Sequence, residues 1–257
     1  MTKINILILD TITFLIVLVV NYFSNTDIIG KMSVGEISEM YPTVITPAGY
    51  AFSIWGLIYL LLVLFIGYMW YSWIKKIDDN LINRIGSYFL LSNLANTFWI
   101  FTWVNGYIGF SFLFILLLLF SLYKLVQRLK LGKWNLFLPY ILFIRLPITI
   151  YFGWIILATV LNFNVYLVST WYDITFWNTP LWGAMLIVVS TSIYIYLVFR
   201  RNLWESSLVG TWGLTAIIVK QIKPVPVIGI WALAGIIIIL ISIIYHVYRS
   251  KKTSDLK

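Results

Sequence analysis

The chain has 257 residues, 61% of them hydrophobic and only 11% charged, which excludes a soluble globular domain and indicates an integral membrane protein. Its net charge of +9 sits mostly in short basic loops between apolar runs, so it speaks of membrane orientation and not of nucleic acid. Cysteine is absent, which excludes disulfides, thiol catalysis and cysteine metal sites.

Hydropathy predicts an all-α membrane fold of eight spans, at about residues 4–23, 49–73, 86–104, 107–126, 138–162, 181–199, 206–220 and 228–248. The first carries Asp10 and lacks a small-residue cleavage site, so it reads as a retained span and not a signal peptide. The loop that follows, about 24–46, is net acidic through Asp27, Glu36 and Glu39 against Lys31. Within it, Ser33-Val-Gly-Glu36 has capping-box spacing and predicts a short helix ending before Pro42. Such a loop suits a lid over an outward-facing pocket, and equally a passive connector. Pro47, Pro139 and Pro180 stand at span openings, where a missing N–H costs little, and Asn105-Gly106 predicts a tight turn. Pro147 falls inside span five and could kink it, and span seven is short and ends in Lys220.

With the N-terminus in the cytoplasm, 14 of the 18 Lys and Arg residues lie inside. Only Lys31, Lys220 and Lys223 lie outside, and Arg145 is within a span. This asymmetry predicts that both termini lie in the cytoplasm, and the membrane expected is the plasma (inner) membrane.

The chain has 13 Trp, 17 Tyr and 17 Phe, and an interfacial belt accounts for part of them. Position separates out the rest. Tyr151, Trp154, Ala158 and Asn162 fall at i, i+3, i+7 and i+11 and share one helix face. Lipid tails offer nothing to an indole N–H, a phenol or a carboxamide, so this face looks inward. Span two adds Trp55 and Tyr59 one turn apart, and span three aligns Ser92, Asn96, Trp99 and Trp103 with Asn93 and Thr97 beside them. Hydrogen bonding between helices is the plainer reading of the asparagines, whereas indole beside amide on three helices favours a pocket.

Two charges complete the picture. Asp10 and Arg145 both lie ~9–10 Å from the cytoplasmic side at 1.5 Å per residue, which predicts an ion pair between spans one and five. The alternatives are separate snorkelling of each side chain and, for Arg145, a ligand carboxylate. The single histidine, His246, lies near the end of span eight between Tyr245 and Tyr248, where interfacial placement suits it better than haem ligation. The sequence holds no Walker motif, metal cluster, Ser-His-Asp set or paired catalytic carboxylates.

The segment Pro47–Tyr59, the run Asn96-Thr-Phe-Trp99 and the pattern Tyr151-xx-Trp154-xxx-Ala158-Thr159-xx-Asn162 resemble the tryptophan-rich sensory protein/translocator protein (TspO) family. The resemblance covers roughly 1–163 and implies a five-helix bundle there, followed by a three-helix extension over 164–248, which looks like that of longer bacterial relatives, and a basic tail over 249–257. The chain departs from the family pattern in having Thr46-Pro47 for two prolines, Gly49-Tyr50 where a Trp is usual, and Ile150 for a Pro. The resemblance implies a ligand-binding or sensory membrane protein that takes porphyrins, haem or other flat hydrophobic molecules among the first five helices. No cofactor is required, the porphyrin breakdown sometimes attributed to the family rests on the resemblance alone, although tryptophans beside a photosensitiser could support radical chemistry, and a homodimer is compatible. Carried over by position, Trp55, Tyr59, Asn96, Trp99, Trp103, Tyr151, Trp154, Ala158 and Asn162 are the expected lining. The competing reading is a multi-pass transporter for a small hydrophobic or amphipathic substrate, although no internal repeat is evident.

Overall fold

A computed structural model describes residues 2–26, 28–30, 32–78, 80–133, 137–170 and 174–254, with the side chains of 174–175 and 251–254 left aside. Asp27 and Lys31 of the acidic loop, and the end of the basic tail, fall outside the described residues. Every described element is helical. Helix α1 (Lys3–Phe23) is followed by the short α2 (Val34–Met40), and a 3-10 turn at Gly49–Ser53 leads into α3 (Ile54–Lys75). Next come α4 (Leu81–Ile85), α5 (Tyr88–Val104), α6 (Ile108–Arg128) and α7 (Leu138–Tyr140). A π-helical turn at Ile141–Arg145 opens α8 (Leu146–Thr170), followed by α9 (Ile174–Trp177), α10 (Pro180–Arg201), α11 (Trp204–Gln221) and α12 (Pro226–Ser254).

Helices occupy all eight expected positions. Six stretches are long and apolar enough to cross a membrane: Lys3–Phe23, Gly49–Lys75, Ile108–Arg128, Leu138–Thr170, Pro180–Arg201 and Pro226–Ser250. Helix α5, of 17 residues, and α11, of 18, are not among them. Exposed Leu, Ile and Phe side chains along the long helices supply the lipid-facing surface.

The punctuation residues act as their chemistry dictates. Gly106, at φ 75°, closes the turn between α5 and α6. Thr179 caps α10 by accepting the Trp182 N–H, with Pro180 at the first helical position. Pro147 does not break α8. The wider π turn lies immediately before it, where a proline ring would otherwise meet the carbonyl four residues earlier.

Helix α8 is the axis of the molecule. Its apolar stretch is 72% buried, against 28% for α1. Helices α3, α6, α10 and α11 all pack against it. Lipid is as apolar as leucine, so close approach and hydrogen bonds hold such helices together. At Gly153 a β-carbon would stand 2.5 Å from the Ser206 carbonyl oxygen, so glycine permits the α8–α11 contact. Ser206 Oγ ties the same contact by donating to Thr149 O at 2.6 Å, while Tyr194 Oη of α10 donates to Gly153 O at 2.9 Å.

The expected Asp10–Arg145 pair does not form. Arg145 pairs with Glu205, Nε lying 2.7 Å from Oε1 and Nη2 donating to Oε2 at 3.1 Å. Nη2 also donates to Asn202 O at 2.7 Å and Nη1 to Lys133 O at 3.1 Å. Matching depth misleads because α1 packs against α3, α4 and α5, away from α8. The true partner stands in the first turn of α11, where the helix dipole favours a carboxylate. Asp10 is fully buried with neither carboxylate oxygen hydrogen-bonded. Its backbone carbonyl accepts from Asn93 Nδ2 at 3.3 Å, and the same amide donates to Thr13 Oγ1 at 3.2 Å, joining α5 to α1.

Candidate functional site: an aromatic nest beneath a short helix

Trp55 stands at the centre of the site. Its ring lies 5.5 Å from Tyr59 on the same helix and 5.5 Å from Trp99 on α5. From α8, Tyr151 approaches to 5.9 Å and Trp154 to 6.4 Å, both edge-on. Trp99 stacks on Trp103 at 6.2 Å, and Phe52, from the 3-10 turn, meets Trp154 edge-on at 6.2 Å. These separations and tilts suit aromatic quadrupoles, so the rings pack favourably and hold one another in place.

The polar atoms of the cluster are less well served. Asn96 Nδ2 reaches Tyr59 Oη at 3.5 Å. Trp55 Nε1, Trp99 Nε1, Trp154 Nε1, Tyr151 Oη and Asn96 Oδ1 are all buried and have no hydrogen-bond partner. A native structure usually carries few such atoms, and each costs ~1–3 kcal/mol when left unsatisfied. Five such atoms are concentrated in this one cluster.

Beside the indoles is a cavity of about 30 Å³, lined by Trp55, Trp99, Trp103 and Trp154 together with Ala158 and Asn162. It has room for a water molecule or two, but not for a ligand of drug size, which needs a few hundred Å³. Its roof is α2, which contributes Val34 and Ser38. Trp103 Nε1 donates to Val34 O at 3.0 Å, fastening roof to wall. The predicted capping box is present. Ser33 Oγ accepts from Glu36 N at 3.3 Å, and Glu36 Oε2 accepts from Ser33 N at 2.7 Å. Those bonds to Ser33 hold the Glu36 carboxyl below its ordinary range.

All nine residues expected from the sequence lie in this contiguous cluster, though they have different neighbours. Asn162 already has a partner, since its Nδ2 donates to Ser111 Oγ of α6 at 3.2 Å, which makes it a link between helices as well as part of the lining. Phe52, Val34, Ser38, Leu161 and Val165 also line the cavity and were missed by sequence reasoning. The capping box was the available signal for α2, while the others look like ordinary apolar residues.

The chain between α2 and α3 is held by the C-terminal helices. Gln221 Nε2 donates to Thr43 O and Thr46 O at 3.2 and 3.1 Å, and Asn178 Oδ1 accepts from Val44 N at 2.8 Å. Ala48 N donates to Ala216 O at 2.9 Å, and Lys220 pairs with Glu39 of α2 at 3.0 Å. Helix α11 and the turn before α10 therefore brace the segment between α2 and α3, and Lys220 reaches α2 itself. His246 lies elsewhere, 3.2 Å from Asn202 Oδ1. Among the described residues no group of three or more His, Cys, Asp or Glu side chains could hold a metal.

No curated protein and no solved structure matches the chain. The sequence model of the TSPO-like protein family matches residues 7–245, so the match extends well beyond the first five spans and takes in the C-terminal helices. With its membrane-helical architecture, the chain belongs to the TSPO-like protein family.

Proposed function

We propose that the protein is a membrane-embedded ligand-binding or sensory protein that takes a flat hydrophobic molecule with polar edges, a porphyrin or a similar ring, into the aromatic nest. One observation carries this reading: three indole N–H groups, one phenol and one amide carbonyl converge from α3, α5 and α8, all buried and all unpartnered. Indole and phenol faces stack on a conjugated ring while their N–H and O–H groups address its polar edge. Ala158 keeps one wall thin. Because the cavity holds only about 30 Å³, binding requires α2 to lift and the indoles to part. The acidic face of α2 and its attachment to the C-terminal helices make it a lid whose position the rest of the molecule controls.

The test is titration of the purified protein with protoporphyrin, followed by tryptophan fluorescence, for the wild type and for Trp55→Phe and Trp154→Phe. The expected result is saturable quenching weakened by either substitution. No saturable binding, together with substrate flux in proteoliposomes, would replace this reading with a transporter.

A further inference from the structure

Away from the nest, α6, α8 and α10 enclose a groove of about 450 Å³ lined almost wholly by apolar side chains, among them Leu116, Phe120, Ile156, Val160, Ile193 and Leu197. From Ile193 to Arg201 the groove follows α10 for about 12 Å at 1.5 Å per residue, which fits within one leaflet of a ~30 Å hydrocarbon core. At one end it meets a second pocket of about 450 Å³ containing Lys130, Lys133, Arg200 and Arg201, the two sharing Val126 and Arg201. No acidic side chain lines either space.

The junction is firmly built. Arg201 Nη2 donates to Tyr123 Oη at 3.1 Å, with the guanidinium 5.7 Å from the Tyr123 ring centroid. A β-carbon at Gly132 would stand 2.2 Å from Arg201 O, so glycine lets the loop after α6 close against α10. Asn202 Nδ2 donates to Gly132 O at 3.0 Å, and Asn202 O accepts from the buried Arg145. The Arg145–Glu205 pair thus fixes the floor of the basic pocket.

We propose that this composite site holds one anionic phospholipid of the bilayer, an acyl chain in the α6–α8–α10 groove and the headgroup phosphate among Lys130, Lys133, Arg200 and Arg201. Charge complementarity selects the headgroup, and the apolar groove running on from it selects a molecule with a tail. The site is separate from the aromatic nest and does not depend on what that nest binds.

Native mass spectrometry of the full chain in detergent, supplemented with phosphatidylglycerol, phosphatidylcholine or tailless glycerol phosphate, tests this. The expected result is preferential retention of one phosphatidylglycerol per chain. Lys133→Gln with Arg201→Gln removes two positive charges and should weaken retention roughly 30-fold, and a loss smaller than about threefold would overturn the proposal. Lys130→Gln with Lys133→Gln, both exposed loop side chains, provides a second charge variant that leaves the helix packing untouched. Leu116→Trp, which fills the groove and keeps every charge, should also weaken retention. Equal retention of phosphatidylcholine, displacement by glycerol phosphate as effective as by the intact lipid, or full affinity in Leu116→Trp would overturn the proposal.

Discussion

Trp103 holds the carbonyl of Val34 through its indole N–H at 3.0 Å, the one hydrogen bond from the nest's tryptophans to the helix above them. Trp103→Phe keeps the aromatic stacking on Trp99 and removes the donor. A net hydrogen bond is worth about 1 kcal/mol, so the lifted state of α2 that the proposed binding requires should become roughly fivefold more populated. Stopped-flow quenching should show faster porphyrin association, and an unchanged rate would mean that α2 does not gate the nest.

The Arg145–Glu205 pair is almost fully buried, and breaking it strands a charge. Glu205→Gln should destabilise the protein by about 3–5 kcal/mol in a denaturant titration, whereas Glu205→Leu with Arg145→Met should cost much less. Asp10→Asn, which removes a carboxylate without a hydrogen-bond partner, should be tolerated. A double-mutant cycle between positions 10 and 145 should show no coupling.

Gly153→Ala places a methyl group 2.5 Å from the Ser206 carbonyl, against backbone that cannot swing aside. A loss of at least ~1–3 kcal/mol is expected. Gly67→Ala on α3 has nothing within 4 Å of the new carbon and should be neutral or gain up to ~1 kcal/mol of helix propensity. Thermal unfolding of the two variants in the same detergent separates packing from propensity.

The lowered Glu36 carboxyl gives the stability of α2 a pH dependence of definite sign. A group depressed in the folded state contributes stability that is present above its unfolded value and lost as pH falls through the folded one. Hydrogen exchange over Val34–Met40 should therefore accelerate, after correction for intrinsic rates, as pH drops below the ordinary carboxylate range. Ser33→Ala should accelerate it at neutral pH and flatten that dependence.

Helix positions and the aromatic face were legible in the sequence because both are periodic. Apolar runs reveal a helix whatever it packs against, and Tyr151, Trp154, Ala158 and Asn162 fall in line by arithmetic alone. Partnership is not periodic. Depth along two helices suggested Asp10 for Arg145, but only the arrangement of helices shows that α1 lies away from α8 and that Glu205 is brought near. The bracing of the α2–α3 segment by Gln221 and Asn178 was hidden for the same reason, since each acts across more than 130 residues of chain. The capping box lay between these extremes. Its four residues define a helix, and nothing in them says what that helix covers.

The central burial of α8 bears on how the molecule is made. A ribosome releases α8 before α10 and α11 exist, so its Gly153 side waits with a carbonyl that Tyr194 will later engage. Until those helices arrive, that notched surface faces lipid or an insertion factor. Assembly is then completed from the C-terminal end, and a chain cut after Thr170 would be left permanently at this unfinished stage.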